Sequence, residues 1–114
     1  MIDNIIEKLE RIIQDLKLLK EVTERNYKNS LLFLQRVEGL FLSARVFYTL
    51  KNNDIEYVGE LVQRTRYELL RYPNFGIKSL KEIESVLDVM GLQLGMDVPL
   101  EIIDTINNLK KSKL

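Results

Sequence analysis

The sequence predicts an all-α protein, and three observations carry that expectation. Apolar residues recur every three or four positions over residues 2–19, the period of one helix face. Capping and helix-breaking residues then punctuate the chain at short intervals: Ser43, Thr65, Pro73, Gly91 and Pro99. The stretch Arg71-Tyr72-Pro73-Asn74-Phe75-Gly76-Ile77-Lys78-Ser79-Leu80 reads as a tight turn between two helices, the logic of a helix-hairpin-helix.

The first element is an amphipathic helix. Ile2, Ile5, Leu9, Ile12, Leu16 and Leu19 alternate spacings of 3 and 4, an a/d heptad seam. Ile6 and Ile13 add an apolar e position and widen the stripe beyond what a two-stranded seam requires. Glu7–Arg11 and Glu21–Arg25 have helix-supporting spacing. The seam weakens at Thr23 and Asn26. A second apolar block, Leu31-Leu32-Phe33-Leu34 with Val37, starts either a new helix capped by Asn29 or Ser30, or extends the first to about Glu38. A break would make an antiparallel hairpin, continuity one long helix. Such an apolar face needs covering. Self-association into a homo-oligomer through residues 2–37 is the leading expectation, and packing on the helix's own chain the plainer one.

Composition shifts at Gly39. Ser43 caps a helix over about Ala44–Asn52, which ends in the turn-forming Asn52-Asn53-Asp54. Ile55, Val58, Leu61 and Val62 mark a short helical stretch, and Thr65 opens another to about Tyr72. After the Pro73–Gly76 turn, Leu80, Ile83, Val86, Leu87 and Met90 line one face of a helix from about Ile77 to Val89. A glycine-rich turn, Gly91 to Met96, closes the domain. Pro99 starts a last helix over Leu100–Leu109, followed by the basic end Lys110-Lys111-Ser112-Lys113. The expected organisation is 1–38 as an association segment, 39–98 as the domain, and 99–114 as a terminal helix and tail.

The turn also carries the candidate chemistry. Gly76 is expected to adopt a backbone conformation closed to other residues. Lys78 and Ser79 lie in the first helical turn, where amides lack intrahelical partners. Together they describe a phosphate-sized anion site, and so a nucleic-acid backbone contact. The bland alternative is a turn built for geometry with a solvated lysine.

With no His and no Cys among 114 residues, imidazole bases, thiolates and most transition-metal sites are excluded. Glu82, Glu84 and Asp88 read as the solvated side of a helix, so no enzyme, metal or cofactor is expected. Lys plus Arg equals Asp plus Glu, 17 each, so any nucleic-acid contact depends on a local cluster. No signal peptide or membrane span is evident, and a cytoplasmic, nucleoid-associated location is the expectation.

One further pattern spans residues 39–98. It comprises Leu40-x-Leu42-Ser43-x-Arg45, Leu50-Lys51, Ile55-x-Tyr57-Val58-Gly59-Glu60-Leu61-Val62-Gln63-Arg64-Thr65, Glu68-Leu69-Leu70, Pro73-Asn74-x-Gly76-x-Lys78-Ser79-Leu80-x-Glu82-Ile83, and Gly91-Leu92-x-Leu94-Gly95-Met96. This stretch resembles the carboxy-terminal domain of the bacterial RNA polymerase alpha subunit. The resemblance implies a compact five-helix domain with a helix-hairpin-helix core. It implies binding to the A·T-rich minor groove and contact with sigma factor, transcription activators or RNA polymerase.

Carried over by position, the family's groove-inserting arginine falls on Arg45 and its phosphate contacts on Gly76, Lys78 and Ser79. Glu82 matches an acidic position one turn on, and Arg71 stands where the family usually has Lys. Tyr48 replaces an Asn, Thr49 a Cys, and Ile77 an often basic residue. These departures and the zero net charge imply weaker DNA affinity than the family's. Only about 38 residues precede the match, so a free-standing copy of the domain is expected. The alternative is an interaction module that mimics the domain, binding sigma factor or activators with little DNA affinity.

Overall fold

The computed structural model describes residues 2–112 and, for residues 21–29, the backbone alone. Six α-helices succeed one another among the described residues: α1 (Ile2–Phe33), α2 (Ala44–Asn52), α3 (Val58–Val62), α4 (Arg66–Leu70), α5 (Ile77–Val89) and α6 (Leu100–Lys111). A 3-10 turn occupies Val37–Gly39, and the described residues contain no strand. The protein is all-α, as its sequence predicts.

The chain divides into two compact units, residues 1–30 and 31–114. In the first, α1 is unbroken, so Ser30 lies inside a helix rather than capping a new one. Ile2, Ile5, Ile6, Leu9, Ile12, Ile13, Leu16 and Leu19 are all between 48% and 74% exposed. The side chains of Glu21, Thr23, Arg25, Asn26 and Asn29 lie outside the described residues.

In the second unit the apolar block after Ser30 is core. Phe33 and Val37 are 4% and 3% exposed, and both join the cluster of Val46, Leu50, Ile55, Leu61 and Leu69. This is why the unit starts at residue 31 rather than at Gly39, where composition changes. Amides on either side secure the segment: Val37 N–H donates to the Glu56 carbonyl and Val58 N–H to that of Gln35, each at 2.8 Å. The carboxy-terminal helix is equally integral, because Val98 joins the core and Ile106 is buried.

Local signals explain the helix boundaries. The Thr65 hydroxyl accepts from the Glu68 amide at 3.2 Å and starts α4. The Glu60 carboxylate reaches back to the amides of Glu56 (3.1 Å) and Tyr57 (3.2 Å) at the start of α3. Gly91 and Gly95 take φ of 75° and 80°, a region that favours glycine, and so make the turn after α5. That turn is pinned to α3, with Gly95 N–H on the Arg64 carbonyl and Met96 N–H on that of Val62.

α6 is held by a polar tie. Lys110 Nζ lies 2.8 Å from Glu60 Oε2 and donates to the Asp54 carbonyl at 2.8 Å. Partial burial disfavours its ammonium, but the hydrogen bond to Glu60 and the charges of Glu60, Asp54 and Glu56 outweigh this and raise its pKa. The stability this lysine contributes is complete below its unfolded pKa of ~10.4 and is lost as pH rises through the folded value. The denaturation midpoint is therefore expected to fall above about pH 10.4, and to fall less in Lys110→Met. Equal declines in a pH series of thermal melts would reject the tie.

Gly59 on α3 lies against both α6 and the end of α1. A Cβ there would meet Ile106 Cδ1 at 2.8 Å, the Phe33 carbonyl oxygen at 3.0 Å and Phe33 Cβ at 3.3 Å. Because one of those neighbours is backbone, Gly59→Ala is expected to cost about 1–3 kcal/mol in chemical denaturation.

Candidate nucleic-acid interface

The candidate site is assembled at the start of α2. Ser43 is the N-cap, its φ and ψ extended at −62° and 155°. Its hydroxyl accepts weakly from the Val46 amide at 3.5 Å. The stronger anchor comes from α5. Glu82 Oε2 accepts from both the Ser43 amide (3.1 Å) and the Ser43 hydroxyl (3.0 Å). A carboxylate is thereby placed at the positive end of α2, where it is favourable. It offsets the unfavourable placement of a cation, Arg45, in that same first turn.

Arg45 is exposed, and its guanidinium reaches the interhelical turn. Nη2 donates to the Asn74 carbonyl at 3.1 Å. The guanidinium therefore lies outside the core and on the side of the bend. Arg45, Tyr48, Thr49 and Asn52 fall on one face of α2 and, with Asn53, Pro73 and Asn74, line a groove of about 590 Å³. Tyr48 is exposed and meets Phe47 edge-on, with ring centroids 5.3 Å apart. The Thr49 hydroxyl donates to the Arg45 carbonyl at 2.9 Å and the Asn53 amide to the Thr49 carbonyl at 2.8 Å, which orders the groove wall.

The turn itself corrects one expectation. Gly76 is extended, with φ −113° and ψ −173°, a conformation open to any residue, and an added Cβ would meet nothing within 4 Å. The left-handed residue is Asn74, at φ 60°. A short polar side chain tolerates that region, so the reversal is made two residues earlier than the glycine. Phe75 is buried beside Tyr72, ring centroids 6.4 Å apart, and anchors the turn to the core. The Leu80 amide donates to the Gly76 carbonyl at 3.0 Å, the first bond of α5. The amides of the preceding turn have no acceptor within the helix.

Lys78 is exposed and Ser79 half-buried in that first turn, and Arg71 is exposed at the end of α4. Among the described residues, no hydrogen bond or ion pair links Arg71 or Lys78 to Arg45. The site thus joins Arg45, Tyr48 and the turn directly, with Arg71 and Lys78 as separate charges on the flanking helices. Glu82 is a support of α2 in this arrangement. Asn52, Asn53 and the Asn74 carbonyl were not among the residues expected. The spacing 45, 48, 49, 52 on α2 is the signal that finds Asn52.

Among the described residues, no group of three or more His, Cys, Asp or Glu could hold a metal ion, and no helix is long and apolar enough to cross a membrane.

Two comparisons bear on this arrangement. The family model for the C-terminal domain of the bacterial RNA polymerase alpha chain matches residues 22–89. The match thus begins within α1, ahead of the motif-bearing stretch. Among solved structures, the NMR structure of the C-terminal domain of the RNA polymerase alpha subunit from Helicobacter pylori is similar. It shows 33% sequence identity and a TM-score of 0.55 over 69% of this protein and 69% of that one. Family and fold agree, and the family match contains every residue of the groove: the protein belongs to the family of C-terminal domains of the bacterial RNA polymerase alpha subunit.

Proposed function

We propose that this protein is a DNA-binding transcription accessory factor that contacts the A·T-rich minor groove through Arg45. The single observation that carries the reading is the hydrogen bond from Arg45 to the Asn74 carbonyl, which puts an exposed guanidinium on the same face as the interhelical turn. An arginine suits a narrow, electronegative minor groove. The bare amides after Gly76, with Lys78 and Ser79, then receive phosphate, and Arg71 adds charge on the preceding helix. Because nothing packs on Gly76, a phosphate can approach its backbone closely. Tyr48 lies one helical turn beyond Arg45 and packs on a sugar edge. Glu82 acts through Ser43, holding α2 in place.

The role is non-enzymatic, without cofactor, and belongs in the cytoplasm on the nucleoid. Copies associate through the exposed stripe of residues 2–19, since Phe33 and Val37 of the longer segment are buried in their own chain, and paired sites compensate by avidity for a neutral chain. RNA polymerase, sigma factor or activators are the protein partners this reading implies.

A second reading is favoured by one observation. Leu32, Leu40, Phe41, Val86, Val89 and Met90 line an apolar groove on the second unit, with Phe41 and Val89 97% and 90% exposed. An interaction module that binds sigma factor or activators and leaves DNA alone would use such a surface.

Arg45→Ala is expected to weaken binding to an A·T-rich duplex at least about tenfold, roughly 1.4 kcal/mol. Unchanged gel shifts would rule out the groove mode and favour the second reading. In a salt series, Lys78→Ala is expected to reduce the slope of log affinity by about one unit. Glu82→Ala should weaken binding with the slope retained, because a carboxylate makes no phosphate contact. A reduced slope in Glu82→Ala would overturn its supporting role.

A further inference from the structure

The apolar stripe of α1 carries more information than the fact of association. We propose that α1 from four copies of this protein forms a parallel four-stranded coiled coil. This deepens, and rests on, the reading that copies associate through the amino-terminal segment.

Two features set the number of strands. The first is the identity of the seam residues. Leu9 and Leu16 occupy a and Ile5 and Ile12 occupy d, with Ile2 at a and Leu19 at d only at the two ends of the seam. Leucine at a with β-branched isoleucine at d disfavours the two-stranded packing geometry and shifts preference to three or four strands, between which the width of the stripe decides. The second is the width of the stripe. Ile6 and Ile13, at e, are also exposed, at 48% and 51% only a little below the 54–74% of the seam. A two-stranded coil would leave these side chains in water, whereas a four-stranded bundle buries a, d and e together.

The area is sufficient. Eight aliphatic side chains at half to three-quarters exposure present on the order of the ~800 Å² per partner that a stable interface removes. Direction follows from charge. Asp15 at g and Lys20, the e position just past the last seam residue Leu19 where the apolar stripe has ended, carry opposite signs and face each other between neighbouring parallel strands. Run antiparallel, Lys20 would lie beyond the seam of its neighbour.

Sedimentation equilibrium on the full-length protein, over a concentration series, tests the stoichiometry. The expected mass is four times the 13.4 kDa of one copy. A two- or three-copy mass overturns the four-stranded bundle but leaves association standing. A single-copy mass at every concentration overturns both.

The combined variant Leu9→Ile, Leu16→Ile, Ile5→Leu, Ile12→Leu keeps every residue aliphatic but exchanges the seam chemistry. It is expected to fall from four copies to two, and an unchanged mass would overturn the seam argument. Lys20→Glu is expected to lower the melting temperature of the assembly, and Asp15→Lys added to it should restore stability. No effect of either change would overturn the parallel direction.

Discussion

The contact between Glu82 and Ser43 is the constraint on which the rest of the site depends. It joins residues 39 positions apart and fixes the start of α2 against the second turn of α5. Without that anchor, a helix of nine residues with a weak cap hydrogen bond would have little to fix its amino end. With it, the first turn of α2 faces the bend that precedes α5. Arg45 can then reach Asn74. A structural hydrogen bond thus sets the geometry of the groove, and on the proposed reading an acidic residue supports a site for anions without touching them.

The second unit distributes its stabilising features so that this face stays open. Its core is aliphatic and aromatic, drawn from residues between Phe33 and Val98. The close approach at Gly59 and the tie from Lys110 to Glu60 both involve α3 and α6. Neither uses a residue of the groove. The residues with exposed charge, Arg45, Arg71 and Lys78, therefore remain outside the contacts that hold the fold together. Their positions come from short helices anchored by buried leucine and phenylalanine, not from ion pairs. The ion pair between α4 and α5, Arg66 to Glu84 at 3.4 Å, is exposed and of the kind that adds little.

Much of this was legible in the residues, and the exceptions have physical causes. Ser43 and Thr65 cap as their side chains dictate, so α2 and α4 begin where those caps indicate, and α5 begins after the Pro73–Gly76 turn. Local chemistry governs such boundaries, so local sequence reveals them. The unit boundary was less visible. Phe33 and Val37 look like a continuation of the amphipathic pattern, and only contacts with distant residues make them core. The turn misleads for a related reason. Gly76 is the residue whose freedom draws attention, yet the chain reverses at Asn74, and the glycine stands in open space. In the groove, Arg45 and Tyr48 are found by resemblance to a family. Asn52 follows from helical spacing once α2 is delimited. The Asn74 carbonyl is a backbone group, and no residue type announces it. The partner of Glu82 is hidden by its separation in sequence.

The hydrogen-bond partner of Arg45 is a neutral carbonyl, and this has an electrical consequence. Had a carboxylate taken that place, the guanidinium's field would be cancelled at short range, and an incoming anion would have to displace a rival ion. As built, the side chain is oriented by a neutral group and remains exposed to solvent. Switching to a stronger acceptor then forfeits only a weak dipolar contact. The side chain is oriented without a carboxylate bound to its own guanidinium.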